Sequence, residues 1–70
     1  MKEVIFLLEI GEKIKKLREG KGLTQKACAY EIGISERFLI AIENNHAYPK
    51  VPTLHKMTKL FNCKFGDILD

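Results

Sequence analysis

The stretch Thr24-Gln25-Lys26-Ala27-Cys28-Ala29-Tyr30-Glu31-Ile32-Gly33-Ile34-Ser35-Glu36-Arg37-Phe38-Leu39-Ile40-Ala41-Ile42-Glu43-Asn44 decides how this chain folds. It reads as two short helices with a glycine between them. Thr24 offers an N-cap hydroxyl to a helix reaching about Ile32. Ala27, Cys28 and Ile32 form its expected inner face, and Ala29 is small enough for another helix to approach. Gly33 closes this helix and permits a sharp turn, since glycine takes the left-handed conformation without steric penalty. Ser35 caps the next helix, which runs from Glu36 to about Asn44. With successive residues about 100° apart, Phe38, Leu39 and Ile42 share one face. Arg37, Ile40, Ala41 and Asn44 point the other way, with Glu36 at the margin.

Working outward, Ile10, Ile14 and Leu17 recur at helical spacing, with Glu12, Lys13, Lys15 and Lys16 between them. This is an amphipathic first helix with a lysine-rich outer face, ended by Gly20 and Gly22. On the far side, 44–49 is a loop, in which Asn45 suits a left-handed conformation and Pro49 forbids helix continuation. A fourth helix spans Pro52 to about Phe61, with Leu54, Met57, Leu60 and Phe61 as its apolar stripe. Asn62 stops it. A last short helix covers Phe65 to Leu69, with Phe65, Ile68 and Leu69 expected inward. Only the N-terminal run allows a strand reading. Continued backward as helix, that run puts Phe6 and Leu7 on the core face and leaves Ile5 and Leu8 outside. The alternatives are a subunit contact or a frayed terminus. Residues 1–9 are therefore read as an N-terminal extension of a domain at 10–70.

Seventy residues allow one small domain. Such a chain holds about 3–5 kcal/mol of net stability unless stapled, metal-bound or dimerised, which favours a binding module over an enzyme with an enclosed active site. No nucleophile–base pair stands out, so no enzymatic activity is expected. Two cysteines, Cys28 and Cys63, make no disulfide scaffold, and neither pairs with His46 or His55 at zinc-finger spacing. No metal and no cofactor is expected. Val4 to Leu8 is too short to span a bilayer and poor as an export signal, so a cytoplasmic protein is expected. The formal charge is +3, but residues 13–26 alone sum to +5 while 27–49 sum to −2. The basic excess sits on the end of helix one and the start of helix two.

Two short helices joined through Gly33 make a helix-turn-helix, whose second helix enters the major groove while the first crosses the backbone. Around it, Ile10-Gly11-Glu12-Lys13-Ile14-Lys15-Lys16-Leu17-Arg18-Glu19 resembles the first helix of the Cro/phage-repressor (XRE-like) helix-turn-helix family. Gly22-Leu23-Thr24-Gln25 is similar to that family's approach to helix two, Ile32-Gly33-Ile34-Ser35 to its turn, and Ile42-Glu43-Asn44 to the end of its recognition helix. Pro49, Leu54 and Phe65–Leu69 fit its last two helices. The likeness covers roughly residues 10–69 without gaps. It implies an all-α, compact five-helix, lambda-repressor-like DNA-binding domain.

The resemblance also implies roles. Gln25 resembles the glutamine that bonds a DNA phosphate, and Asn44 a further phosphate contact. Ser35, Glu36, Arg37 and Ala41 occupy positions that meet base edges or nearby phosphates; Arg37 is the best candidate for direct readout. Ile40 and Ala41 can touch a thymine methyl. Thr24, Lys26 and His46 complete the DNA-facing set. Arg18 and Glu43 match an internal ion pair tying helix one to the recognition helix. Cys28 stands where a core leucine is usual, and Lys50 and Lys64 stand where small polar caps are usual. The implied partner is double-stranded DNA, read as a palindromic operator by a homodimer joined through the last helices or the N-terminal run. The implied role is a transcriptional regulator, as a repressor. Glu36 and the apolar Ile40/Ala41 face also fit a second reading, a protein-interaction module on the same fold docking a partner as in an antitoxin or anti-repressor complex.

Overall fold

The computed structural model describes residues 2–69, with side chains from Ile10 to Leu69. Its elements are α1 (Lys2–Gly20), α2 (Gln25–Ile32), α3 (Glu36–Glu43), α4 (Val51–Phe61) and α5 (Phe65–Leu69), with no strand among the described residues. The fold is all-α, as expected. The run that allowed a strand reading is helix, and α1 crosses from Glu9 to Ile10 unbroken. The expected outward and inward placement of Ile5, Phe6, Leu7 and Leu8 lies outside the described side chains.

The helices form where local chemistry starts and stops them. Thr24 Oγ1 accepts from the Ala27 N–H at 3.0 Å, and Ser35 Oγ accepts from the Phe38 N–H at 3.0 Å. Each hydroxyl thus satisfies one of the donors that a helix start leaves without a helical partner. Gly33, at φ 87°, turns the chain between α2 and α3. Asn45 and Asn62 take left-handed conformations at φ 63° and 53°. Lys50 gives α4 no side-chain cap, whereas α5 gains one from Asp67, whose Oδ2 accepts from the Lys64 N–H at 2.9 Å.

The helices close on one core of Ile10, Ile14, Cys28, Ala29, Ile32, Leu39, Ile42, Leu54, Met57, Phe61 and Ile68. Helix α3 packs against α1 and α2, α2 against α4, and α5 against α1 and α4. Two positions differ from the helical-wheel reading. On α2, Ala27 is exposed and not inward, because α2 rolls its Cys28–Ala29–Ile32 side toward α3 and α4; the burial of Ala29 agrees with the close helix approach expected there. Phe65 is not inward but 37% exposed, and its ring stacks on His55 with centroids 6.1 Å apart. It starts a five-residue helix whose buried residue is Ile68, so it lies at the rim of the core.

Candidate nucleic-acid interface

Helix α3 is amphipathic in the strict sense. Leu39, Ile42 and Glu43 are buried, and Phe38 is half-buried against the core. On the other side Glu36, Arg37 and Asn44 are exposed, as is His46 in the following loop. Ile40 and Ala41 are only half-buried, so the apolar outward patch is smaller than a helical wheel implies. A compact base therefore holds out one polar helix face.

The helix starts contribute a second kind of surface. Thr24, Lys26 and Ser35 are exposed and Gln25 is half-buried. The Ala27 N–H bonds to Thr24 Oγ1 and the Cys28 N–H to Thr24 O, leaving the N–H groups of Gln25 and Lys26 without helical partners. The same accounting at α3 leaves those of Glu36 and Arg37, since Phe38 and Leu39 bond to Ser35. Each cap hydroxyl accepts one bond and keeps its own proton for donation. Helix starts of this kind favour anions, and the +5 charge of residues 13–26 lies beside α2.

Behind this surface is a polar clasp. Arg18 Nε donates to Glu43 Oε2 at 2.7 Å and its Nη2 to Glu43 Oε1 at 3.1 Å, while Nη1 donates to the Leu23 carbonyl at 2.8 Å. The Glu43 side chain is 1% exposed and that of Arg18 10%. Glu43 holds the Arg18 guanidinium above its already high pKa, first through this hydrogen bond. Gln25 Nε2 also donates to Glu43 Oε1, at 3.1 Å. One carboxylate on α3 thus gathers donors from α1 and α2. The Cys28 thiol lies in the same interior, where burial pushes it up to about 11, helped by the Glu43 charge.

Sequence reasoning paired Arg18 with Glu43 by resemblance but missed the Gln25 contact, for which no local pattern exists. It also missed what Gly11 does. A Cβ there would collide with Asn45 Oδ1 and lie 2.7 Å from the Ile42 carbonyl oxygen and 2.9 Å from that of Glu43. Gly11 therefore lets α1 meet the end of α3. The signal was present, since a glycine inside a helix costs about 1 kcal/mol relative to alanine and implies a close approach. Among the described residues, no three of His, Cys, Asp and Glu group closely enough to hold a metal ion. No described helix is long and apolar enough to cross a membrane.

Comparison with known proteins bears on this surface. A family model described as a helix-turn-helix domain matches residues 11–69. An HTH-type transcriptional regulator of Methanocaldococcus jannaschii is 36% identical over 56 residues, covering 80% of this chain and 85% of that protein. The HTH-type transcriptional activator BcrR of Enterococcus faecalis is 31% identical over 62 residues; the match covers 89% of this chain but spans only 30% of that relative's length. Among solved structures, an HTH_3 family transcriptional regulator from Vibrio cholerae superposes with TM-score 0.82 at 31% identity, covering 93% of this chain and 36% of that one. The restriction-modification controller protein C.AhdI of Aeromonas hydrophila shares the fold, with TM-score 0.82 at 19% identity over 89% of this chain and 94% of its own.

Proposed function

The chain belongs to the XRE-type helix-turn-helix domain family, and on that premise we propose that it binds duplex DNA sequence-specifically with α3 in the major groove. One observation carries this reading. Helix α3 is fixed on one side by Leu39, Ile42 and Glu43 and open along Glu36, Arg37 and Asn44. Arg37 reads a base edge, with guanine as its natural bidentate partner. Ser35, Glu36, Ile40 and Ala41 meet neighbouring base edges, and Thr24, Gln25, Lys26, Asn44 and His46 meet the phosphates. Phosphate contacts set register, and base contacts set preference.

Few base readers on one small domain discriminate poorly, which favours a homodimer on a palindromic operator with half-sites about one helical turn apart. Val51 and His55, one helical turn apart on α4, and Phe65 stacked on His55 form an exposed stripe. That stripe suits an interface through the last helices, and residues 1–9 are the other candidate as an extension of the domain at 10–70. A dimer filling successive major-groove faces excludes other proteins from the operator, so the role is a cytoplasmic, non-catalytic repressor.

The test is titration of duplexes selected from random sequence, at several salt concentrations. Affinity that falls steeply with salt, and an Arg37→Ala variant that loses preference at one base pair by about 1–3 kcal/mol, support the reading. Negligible affinity for every duplex at low salt sinks it.

A further inference from the structure

We propose that Glu43 is a positioning residue for the phosphate contact of Gln25, an inference that rests on the DNA reading above. Glu43 itself is buried and touches no solvent-facing ligand. Its effect passes through the chain's one glutamine, whose Nε2 donates to Glu43 Oε1 at 3.1 Å.

The chemistry is one of donor and acceptor matching. A side-chain amide has an acceptor end and a donor end, and a half-turn about its last bond exchanges them. A DNA phosphate only accepts, so Gln25 serves it only with an N–H. A carboxylate also only accepts. Glu43 therefore selects the amide orientation that turns Nε2 toward it, and Nε2 carries a second hydrogen for the phosphate. Without that selection the Gln25 amide also presents its oxygen to the phosphate, which is repulsive.

Arg18 makes the selector rigid. Its fork reaches both Glu43 oxygens, at 2.7 and 3.1 Å, and its third nitrogen holds the Leu23 carbonyl two residues before Gln25. The clasp thus joins three places that must keep register on a duplex. These are the basic end of α1, the start of α2 where Gln25 sits, and the end of the groove-facing α3. A carboxylate close to a phosphate-binding surface would otherwise be a liability, because its charge repels DNA. Here that charge is buried and shared among three donors.

Charge separates this role from bulk electrostatics. Glu43→Gln removes one negative charge, which by itself strengthens binding to DNA. Loss of amide selection weakens it. The experiment is a double-mutant cycle in the full chain, with the wild type, Gln25→Ala, Glu43→Gln and the double variant titrated on one labelled duplex. The titrations use low salt and a temperature at which circular dichroism shows each protein folded. Glu43→Gln is expected to weaken binding about three- to tenfold in the Gln25 background, the scale of one hydrogen bond, and to weaken it no further in the Gln25→Ala background. Equal losses in the two backgrounds, or no loss with Gln25 present, overturn the proposal.

A measurement on the unaltered chain covers the case in which Glu43→Gln does not fold. The two Nε2 hydrogens of Gln25 give separate nuclear magnetic resonance signals, assigned by their absence in Gln25→Ala. One is expected to exchange slowly with solvent in the free protein, and the other to slow only when duplex is added. Both responding alike, or neither responding, overturns the proposal. A wild type that binds no duplex removes the DNA reading itself, whereas a wild type that binds without the coupling removes only the role of Glu43.

Discussion

The helix pair α2–α3 and the helix pair α4–α5 are held in different ways. The first begins both of its helices with side-chain caps, Thr24 and Ser35, and turns through a left-handed glycine. A buried carboxylate then ties it to α1 through two bonds from Arg18 and ties its own helices together through one from Gln25. The second pair starts α4 without a side-chain cap, turns through left-handed Asn62 and leaves Phe65 at its rim. It holds by burying Leu54, Met57, Phe61 and Ile68. Apolar burial is nearly indifferent to direction. Hydrogen bonds fix distance and angle. The pair that meets DNA in the proposed reading adds directional bonds to its share of the core, Cys28, Ala29, Ile32, Leu39 and Ile42, whereas the other rests mainly on apolar burial.

Removing one hydrogen-bonded acidic residue from each pair, Glu43 and Asp67, breaks this comparison most sharply. Glu43→Ala leaves the Arg18 guanidinium buried without its partner, and a loss of about 3–5 kcal/mol is expected in urea unfolding. Asp67→Ala removes one exposed cap and is expected to cost about 1 kcal/mol or less. Equal losses would show that the clasp is no stronger than a surface cap.

The cysteines divide in the same way. Cys28 is fully buried in the first pair, with its thiol pushed from an ordinary 9.0 up to about 11, and Cys63 is half-buried in the second with a smaller upward push from burial. A raised thiol pKa means that the fold favours the neutral form. The stability it contributes is whole below pH 9, where the unfolded thiol is also neutral, and is lost as pH climbs from 9 toward about 11. The expected loss is on the order of 2 kcal/mol, seen as a pH slope in urea midpoints that Cys28→Ala flattens and Cys63→Ala retains. At neutral pH a thiol reagent is expected to label Cys63 in the native protein and Cys28 only on unfolding.

Gly11→Ala sharpens the picture at the α1–α3 crossing. Its Cβ would press on the carbonyl oxygens of Ile42 and Glu43, so a net loss of about 1–2 kcal/mol is expected even after the gain in helix propensity. Gly20→Ala adds a Cβ that meets nothing within 4 Å, and its thermal midpoint is expected to stay close to the wild type.

The caps give the smallest effects and opposite signs. Thr24→Ala and Ser35→Ala are each expected to lower stability by about 1 kcal/mol, whereas Lys50→Ser should raise it by up to about 1 kcal/mol. A loss on adding that hydroxyl would mean that the Lys50 side chain holds α4 in another way.

Legibility in the sequence follows the same divide. In α2–α3 the caps, Gly33 and the Leu39–Ile42 face were readable, because each signal lies within a few residues of what it controls. Ala27, expected inward, is exposed, because both it and Ala29 are small and only the neighbouring helices decide which of them is covered. In α4–α5 the stripe Leu54–Met57–Phe61 was readable from its period. Phe65 was misplaced, since a five-residue helix has too few turns for period to decide a face. Thr58 lies outside the expected apolar stripe yet is buried, with its hydroxyl satisfied by donating to the His55 carbonyl at 2.7 Å.

By itself the sequence determined the five helices, the turn between the second and third, and the open side of α3, because capping, glycine conformation and helical period are local. Only the tertiary structure decided that Gln25 meets Glu43 and that Gly11 is where α1 touches the end of α3. Those contacts join residues far apart in the chain, with Gln25 18 positions from Glu43. No short-range pattern encodes such a meeting; it arises when three helices bury their apolar faces at once and bring their polar residues together.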